Sequence, residues 1–366
     1  MNNFKILLAF LVIGCTSCAK NDSEPNQVTA DKTIAATDVS TLKLSDDNTF
    51  QNTLPFPIGV GINMGILKRD SRYRDIVIKE YNSISAETAM KMKSLRPSAT
   101  TYKWSEADDL VKFAEENNKR VYGHALIWGN SLPGWVKDFK GGYPEWKQMF
   151  KAHITQVVKH FKGKVVAWDV INEAFADNGD LKNTIWRQKL GPNYIDMAFI
   201  FAHRADPSAI LFINDYGMEY GNNKRRGLVK YVEGMIERGI PIDGIGTQFH
   251  SRVNLPDAKF SRALNEIAAT GLKVHISEME ISLNPASLQS LLLSSLLERE
   301  QAAKYEYIVR SYNALPKKQQ FGITLWNVTD KDSWVLNYYD RPDWPLPFDG
   351  NYQKKPAYQG ILDGVN

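Results

Sequence analysis

Cysteine is almost missing from this chain. Its only two, Cys15 and Cys18, stand within the first eighteen of 366 residues. The remainder is therefore predicted to hold no disulfide, no thiolate metal ligand and no cysteine nucleophile. Histidine is scarce too, with six in all. His153 and His160 share one predicted helix, while His124 and His250 stand apart as single ring donors, so no metal centre is expected. Runs of one charge are lacking: 45 basic and 41 acidic residues are interspersed, which leaves no nucleic-acid footprint. No GxSxG elbow occurs, so an esterase would lack its serine. No glycine-rich dinucleotide fingerprint follows the first strand-like run. Neither a metal nor an organic cofactor is called for.

What is present begins at the N-terminus. "MNNFKILLAFLVIGCTSC" carries Lys5, an apolar stretch from Ile6 to Ile13, and small residues before cysteine. The stretch is too short to span a bilayer and reads as an export signal. "LVIGC" and "TSC" each resemble a bacterial lipobox. The acidic, polar "AKNDSE" that follows resembles a surface-export signal and favours Cys18 over Cys15 as the lipidated residue, with an ordinary cleaved signal as the alternative. Residues 1–18 are thus expected to be a lipoprotein-type signal peptide. Residues 19–49, rich in Ser, Thr, Asp and Asn, are expected to be a flexible polar tether, and 50–366 the catalytic domain. The expected location is the bacterial cell envelope, at the outer membrane or cell surface, held only by the lipid.

From residue 50 onward eight β-rich apolar runs alternate with helical patterns. The runs cover 56–62, 81–87, 120–128, 165–172, 209–215, 242–250, 272–280 and 321–328. Amphipathic stretches between them include 105–118, 145–161, 222–238 and 286–313, the first with Ser105 read as its cap. One helix per crossover is what parallel pairing demands. Eight such units predict a single (β/α)8 barrel, class α/β, with a doubly wound sheet as the alternative.

In a barrel, chemistry sits where the strands end. Those ends carry Glu87 and Lys91, then His124 and Trp128, then Asn172 and Glu173. Asn214 and Tyr216 follow, with Gln248 and His250, Glu278 and Glu280, Trp326, and Trp334 in the loop beyond. Seven of eight ends thus supply polar or aromatic groups. Two carboxylates on opposite sides of the mouth suit glycoside hydrolysis by double displacement. Strand alternation puts Glu278 and Glu280 on one face. Glu278, with His250 donating to it and Glu280 orienting that ring, is the expected nucleophile. Glu173 is the expected acid/base, with Trp168 or Trp128 as its apolar wall. Asn172 is placed to bond a sugar 2-hydroxyl. Sugars have an apolar face and a hydroxyl rim, which Trp128, Trp326 and Trp334 would match as platforms.

"WDVINEAF", "HISEME", "GTQFH", "GHALIW", "FINDY" and "TLWNVTDKDSW" together resemble glycoside hydrolase family 10, the endo-β-1,4-xylanases, over most of residues 55–362. The resemblance implies the same roles for Glu173 and Glu278. It further implies that Glu87, Lys91, His124, Trp128, Asn172, Gln248, Trp326 and Trp334 line the glycone subsites, and that xylan or xylo-oligosaccharides are the substrate. The departures are specific. Thr88 follows Glu87 where the family usually has Asn; Gly129 and Ser131 replace His and Gln after Trp128. Glu280 stands for Asp, and Asn327 for Gly. Each of these changes touches hydrogen bonding at the site, on the order of 1 kcal/mol apiece. Two rivals follow: a related barrel acting on another β-linked glucan, and a surface lipoprotein that binds glycan without cutting it.

Overall fold

A computed structural model describes residues 48–366. The predicted signal peptide, both cysteines and the tether up to residue 47 lie outside the described residues. Eight parallel strands close on themselves: β1 (Ile58–Ile62), β2 (Ser83–Ala86), β3 (Arg120–Gly123), β4 (Val165–Asn172), β5 (Ile210–Asp215), β6 (Gly244–Thr247), β7 (Lys273–Ser282) and β8 (Gln320–Leu325). Each pairs with the next, and β8 returns to β1 through Ile58↔Ile323 and Val60↔Leu325. The expected (β/α)8 barrel is the observed fold; six of the eight strands fall within the expected runs, while β7 continues two residues past its run to Ser282 and β8 starts one residue before its run at Gln320.

The runs form strands because Val, Ile and Phe fill both faces, as a parallel sheet covered by helices requires. Residues turned into the barrel pack as a floor of Tyr122, Phe212, Phe321 and His275, with ring centroids 4.4–5.9 Å apart. Above the floor, buried Asp169 accepts hydrogen bonds from the Tyr122 hydroxyl and, at 2.8 Å, from His124 Nδ1. The second packing layer lies between barrel and helices. Helix Ser105–Glu116 shows its origin: Leu110, Val111 and Ala114 recur on one face and are buried. Each of the larger two stabilises the fold by about 1.5–3 kcal/mol.

Four local expectations need correction. Helix Ser105–Glu116 starts at Ser105 itself; Trp104 precedes it and no side chain caps it. The helix expected over 286–313 covers only Ser295–Asn313 and is capped by the Ser294 side chain, which accepts from Leu297 N. Ahead of it, the Asn284 side chain bonds both backbone N and O of Leu288, a local arrangement that competes with helix. The last strand stops at Leu325, because Asn327 adopts φ +103°. Trp168 does not wall Glu173. It packs outward against Phe161, where Gly123 leaves room for its ring: a Cβ there would lie 2.1 Å from it. The reason is an irregularity in β4, where Asp169 pairs with Phe212 but Ile171 with Ile213. Val170 is the extra residue, and strict alternation counted back from Asn172 fails across it.

Candidate active site

The strand ends meet in one cleft of about 880 Å³, lined among others by Glu87, Lys91, His124, Trp128, Asn172, Glu173, Tyr216, Gln248, His250, Glu278, Glu280, Trp326 and Trp334. Asn214 lies just beneath its surface, fully buried. Every site residue expected from the sequence is therefore in or directly under this cleft. Two small glycine contacts make the crowding possible. Gly61 lies against the Trp326 ring, and Gly246 against the Asn214 amide, at distances a Cβ would close to 2.7 and 2.4 Å.

Glu278 projects from β7 into the mouth and is 5% exposed. Its Oε2 faces His250 Nε2 at 3.0 Å, and its Oε1 accepts from Asn214 Nδ2 at 3.1 Å. Burial pushes its carboxyl up, but the His250 hydrogen bond and the charges of His124, His250 and Lys91 outweigh burial and hold it below its ordinary value. His250 in turn sits between two carboxylates, with Nδ1 2.7 Å from Glu280 Oε1. Burial alone would lower its pKa; Glu280 and Glu278 overcome that and push it up to about 10. The ring is thus a cation donating at both nitrogens. Glu280 has every oxygen engaged: Oε1 also accepts from Trp334 Nε1 at 2.6 Å, and Oε2 from Ser333 Oγ at 3.1 Å.

Glu173 stands one residue past β4 with φ +58°. Its backbone N–H is fixed to Asn214 O at 2.8 Å. Its carboxylate is held loosely, by Gln248 Nε2 at 3.4 Å and Asn172 Nδ2 at 3.5 Å, with Lys182 Nζ 3.9 Å away. Asn172 Oδ1 accepts from both Asn214 and Gln248, at 3.0 and 3.2 Å. The two carboxylates are therefore linked through one amide network. Left-handed backbone occurs at Glu173 itself and at Phe249 and Asn327, which directly follow the cleft residues Gln248 and Trp326, the placement expected of strain held at a working site.

On the opposite wall, Lys91 lies between Trp128 and Trp326, with Nζ 4.8 and 5.9 Å from their rings. Burial lowers its pKa against the pull of Glu278, Glu87 and Glu173. Glu87 accepts from Asn63 Nδ2 at 3.0 Å. Asn63 directly follows β1, and so supplies the one strand end for which the sequence offered no functional residue. Sequence reading also missed Asp169, Ser277 and Ser333. Asp169 had a signal, since an acid in mid-strand must find a buried partner. Ser277 and Ser333 had none.

Among the described residues, no cluster of His, Cys, Asp and Glu could hold a metal ion.

The profile of Glycosyl hydrolase family 10 matches residues 47–364. The chain belongs to glycosyl hydrolase family 10. It is 36% identical over 343 residues to endo-1,4-beta-xylanase A of Cellvibrio japonicus, covering 85% of this chain and 55% of that one. It is 33% identical to exoglucanase XynX of Acetivibrio thermocellus, over 86% of this chain and 30% of the other. The chain thus spans about half or less of the length of these curated relatives. A solved structure of xylanase 10C from Cellvibrio japonicus in complex with xylopentaose superposes with a TM-score of 0.83 at 33% identity, covering 87% of this chain and 69% of that one. This family 10 chain shares the fold of that structure.

Proposed function

We propose that the protein is a retaining endo-β-1,4-xylanase. The observation that carries the reading is the unequal pair at the cleft: a buried carboxylate kept ionised by a histidine cation, facing a loosely held carboxyl across an amide network. In the first step a Glu278 oxygen bonds the anomeric carbon of a xylosyl unit while Glu173 delivers its proton to the departing glycosidic oxygen. A glycosyl ester on Glu278 results. In the second step Glu173 takes a proton from water, the water oxygen displaces Glu278, and the original anomeric configuration returns. Asn172, fixed by Asn214 and Gln248, is placed for the sugar 2-hydroxyl, a bond that strengthens as charge develops.

Of the two curated relatives, one is an endo-1,4-beta-xylanase by name and one is not. XynX is an exoglucanase by name, and Thr88, Gly129 and Ser131 alter the wall beside Glu87 and Trp128. A second reading is therefore hydrolysis of another β-linked glucan. Product analysis on glucuronoxylan, arabinoxylan and a mixed-linkage β-glucan separates the two: xylo-oligosaccharides from the xylans alone support the first, and glucan products alone the second. A protein that only binds glycan would release nothing from any of them.

Export as a lipoprotein is proposed on the lipobox-like "TSC" and "LVIGC". Labelling with a palmitate analogue that persists in Cys15→Ser and is lost in Cys18→Ser would place the lipid on Cys18; no labelling would remove the anchor.

A further inference from the structure

Asn327 occupies a backbone conformation, φ +103°, that glycine adopts freely and side-chain-bearing residues rarely do. It is 4% exposed, and its side chain is occupied on both ends. Oδ1 accepts from the Tyr73 hydroxyl at 3.0 Å and from Val328 N at 2.9 Å, and Nδ2 donates to Asp332 O at 2.9 Å. Two chains of contacts leave from this amide. One runs through fully buried Tyr73, whose hydroxyl accepts from Asn63 N at 3.2 Å, and so to the Asn63 amide that holds Glu87. The other runs through the Asp332 turn into Ser333 and Trp334, which both donate to Glu280, the partner of His250.

We propose that Asn327 is a positioning residue that fixes the glycone wall and the nucleophile relay in one register, through Tyr73–Asn63–Glu87 on one side and Asp332–Trp334–Glu280 on the other. Glycine at this position would relieve the backbone but leave Tyr73 without its acceptor and the Asp332 carbonyl without its donor. The side chain is retained there for those bonds. The longer Glu280 side chain belongs to the same arrangement, since it meets His250, Ser333 and Trp334 at once. The inference rests on the glycosidase reading of this cleft.

The test compares Asn327→Gly, Asn327→Asp and Tyr73→Phe in the full chain, with kcat and KM on an aryl β-xyloside and an aryl β-xylobioside. Wild-type turnover of these substrates tests the xylanase reading alone. The ratio of variant to wild type, on whichever aryl β-glycoside the wild type cuts, tests the network. Asn327→Gly is expected to keep or raise the thermal midpoint, because the backbone is relaxed, yet lose about tenfold in kcat/KM on the two-sugar substrate and about threefold on the single sugar. Asn327→Asp, which keeps the acceptor for Tyr73, should recover part of the loss. Tyr73→Phe should reproduce the two-sugar penalty, and adding it to Asn327→Gly should cost nothing further. Wild-type kinetics in Asn327→Gly, or in Tyr73→Phe, would overturn the proposal. So would a loss that follows the midpoint and is equal on both substrates, since that is what a structural role alone predicts.

Discussion

The two carboxylates of the cleft are held in opposite ways. Glu278 has contacts of 3.0 and 3.1 Å and a histidine cation whose far side is itself anchored to Glu280 at 2.7 Å. Glu173 has contacts of 3.4, 3.5 and 3.9 Å, and its side chain is 15% exposed against 6% for that of Glu278. The difference matches the tasks proposed for them. A nucleophile works from a single protonation state, and rigid charge-assisted bonds secure it. An acid/base gains and loses a proton in each cycle, and strong bonds to either state would oppose the other. Tight and loose holding thus support the two roles proposed for them.

The sharpest way to break the comparison is to remove the tight side. Glu278→Ala should lower turnover of every substrate by about 10⁴-fold or more, irrespective of leaving group. Glu173→Ala should cost about 10²–10⁴-fold on xylan but far less in the first step on aryl glycosides whose leaving group needs no proton. Steady-state kinetics on a series of aryl xylobiosides with leaving groups of falling basicity checks both. Equal losses along the series in Glu173→Ala would remove its role as acid.

How much of this was legible in the sequence depends on what each feature needs. Strand ends were legible because βα repetition locates them, and polar residues there break an apolar pattern. Both carboxylates and the His250 relay followed from that, aided by the alternation that pairs Glu278 with Glu280. Trp168 stands near Glu173 in sequence but lies on the outer face of an irregular strand, and the shift at Val170 is marked by nothing in the local composition. Asn63, Ser277 and Ser333 act by hydrogen bonds across 24, 63 and 53 residues of chain. Such partners are set by the closing of the barrel and leave no local trace. The positive φ at Asn327 was equally hidden, although its departure from a usual glycine pointed to the position.

A milder change separates holding from charge. His250→Asn removes the cation that keeps the Glu278 carboxyl below its ordinary value. The carboxyl should then protonate at higher pH, and the acidic limb of the kcat/KM profile should move upward. An acidic limb that does not move would assign the ionisation of Glu278 to His124, Lys91 and Asn214 instead.

The smallest effect concerns stability, and its sign follows from the raised pKa of His250. In the unfolded chain a histidine titrates near 6.5; in the fold the two glutamates push this one up to about 10. The folded state therefore binds the proton more tightly. Its contribution to stability is complete below about pH 6.5, declines as pH rises through the interval, and is gone above about pH 10. Wild type should consequently exceed His250→Asn in thermal midpoint by the widest margin at pH 6, with the margin shrinking by a few degrees towards pH 10. A margin that is flat or grows across that range would mean that the ring is not held as a cation. The nucleophile would then owe its tight geometry to the Asn214 amide rather than to charge.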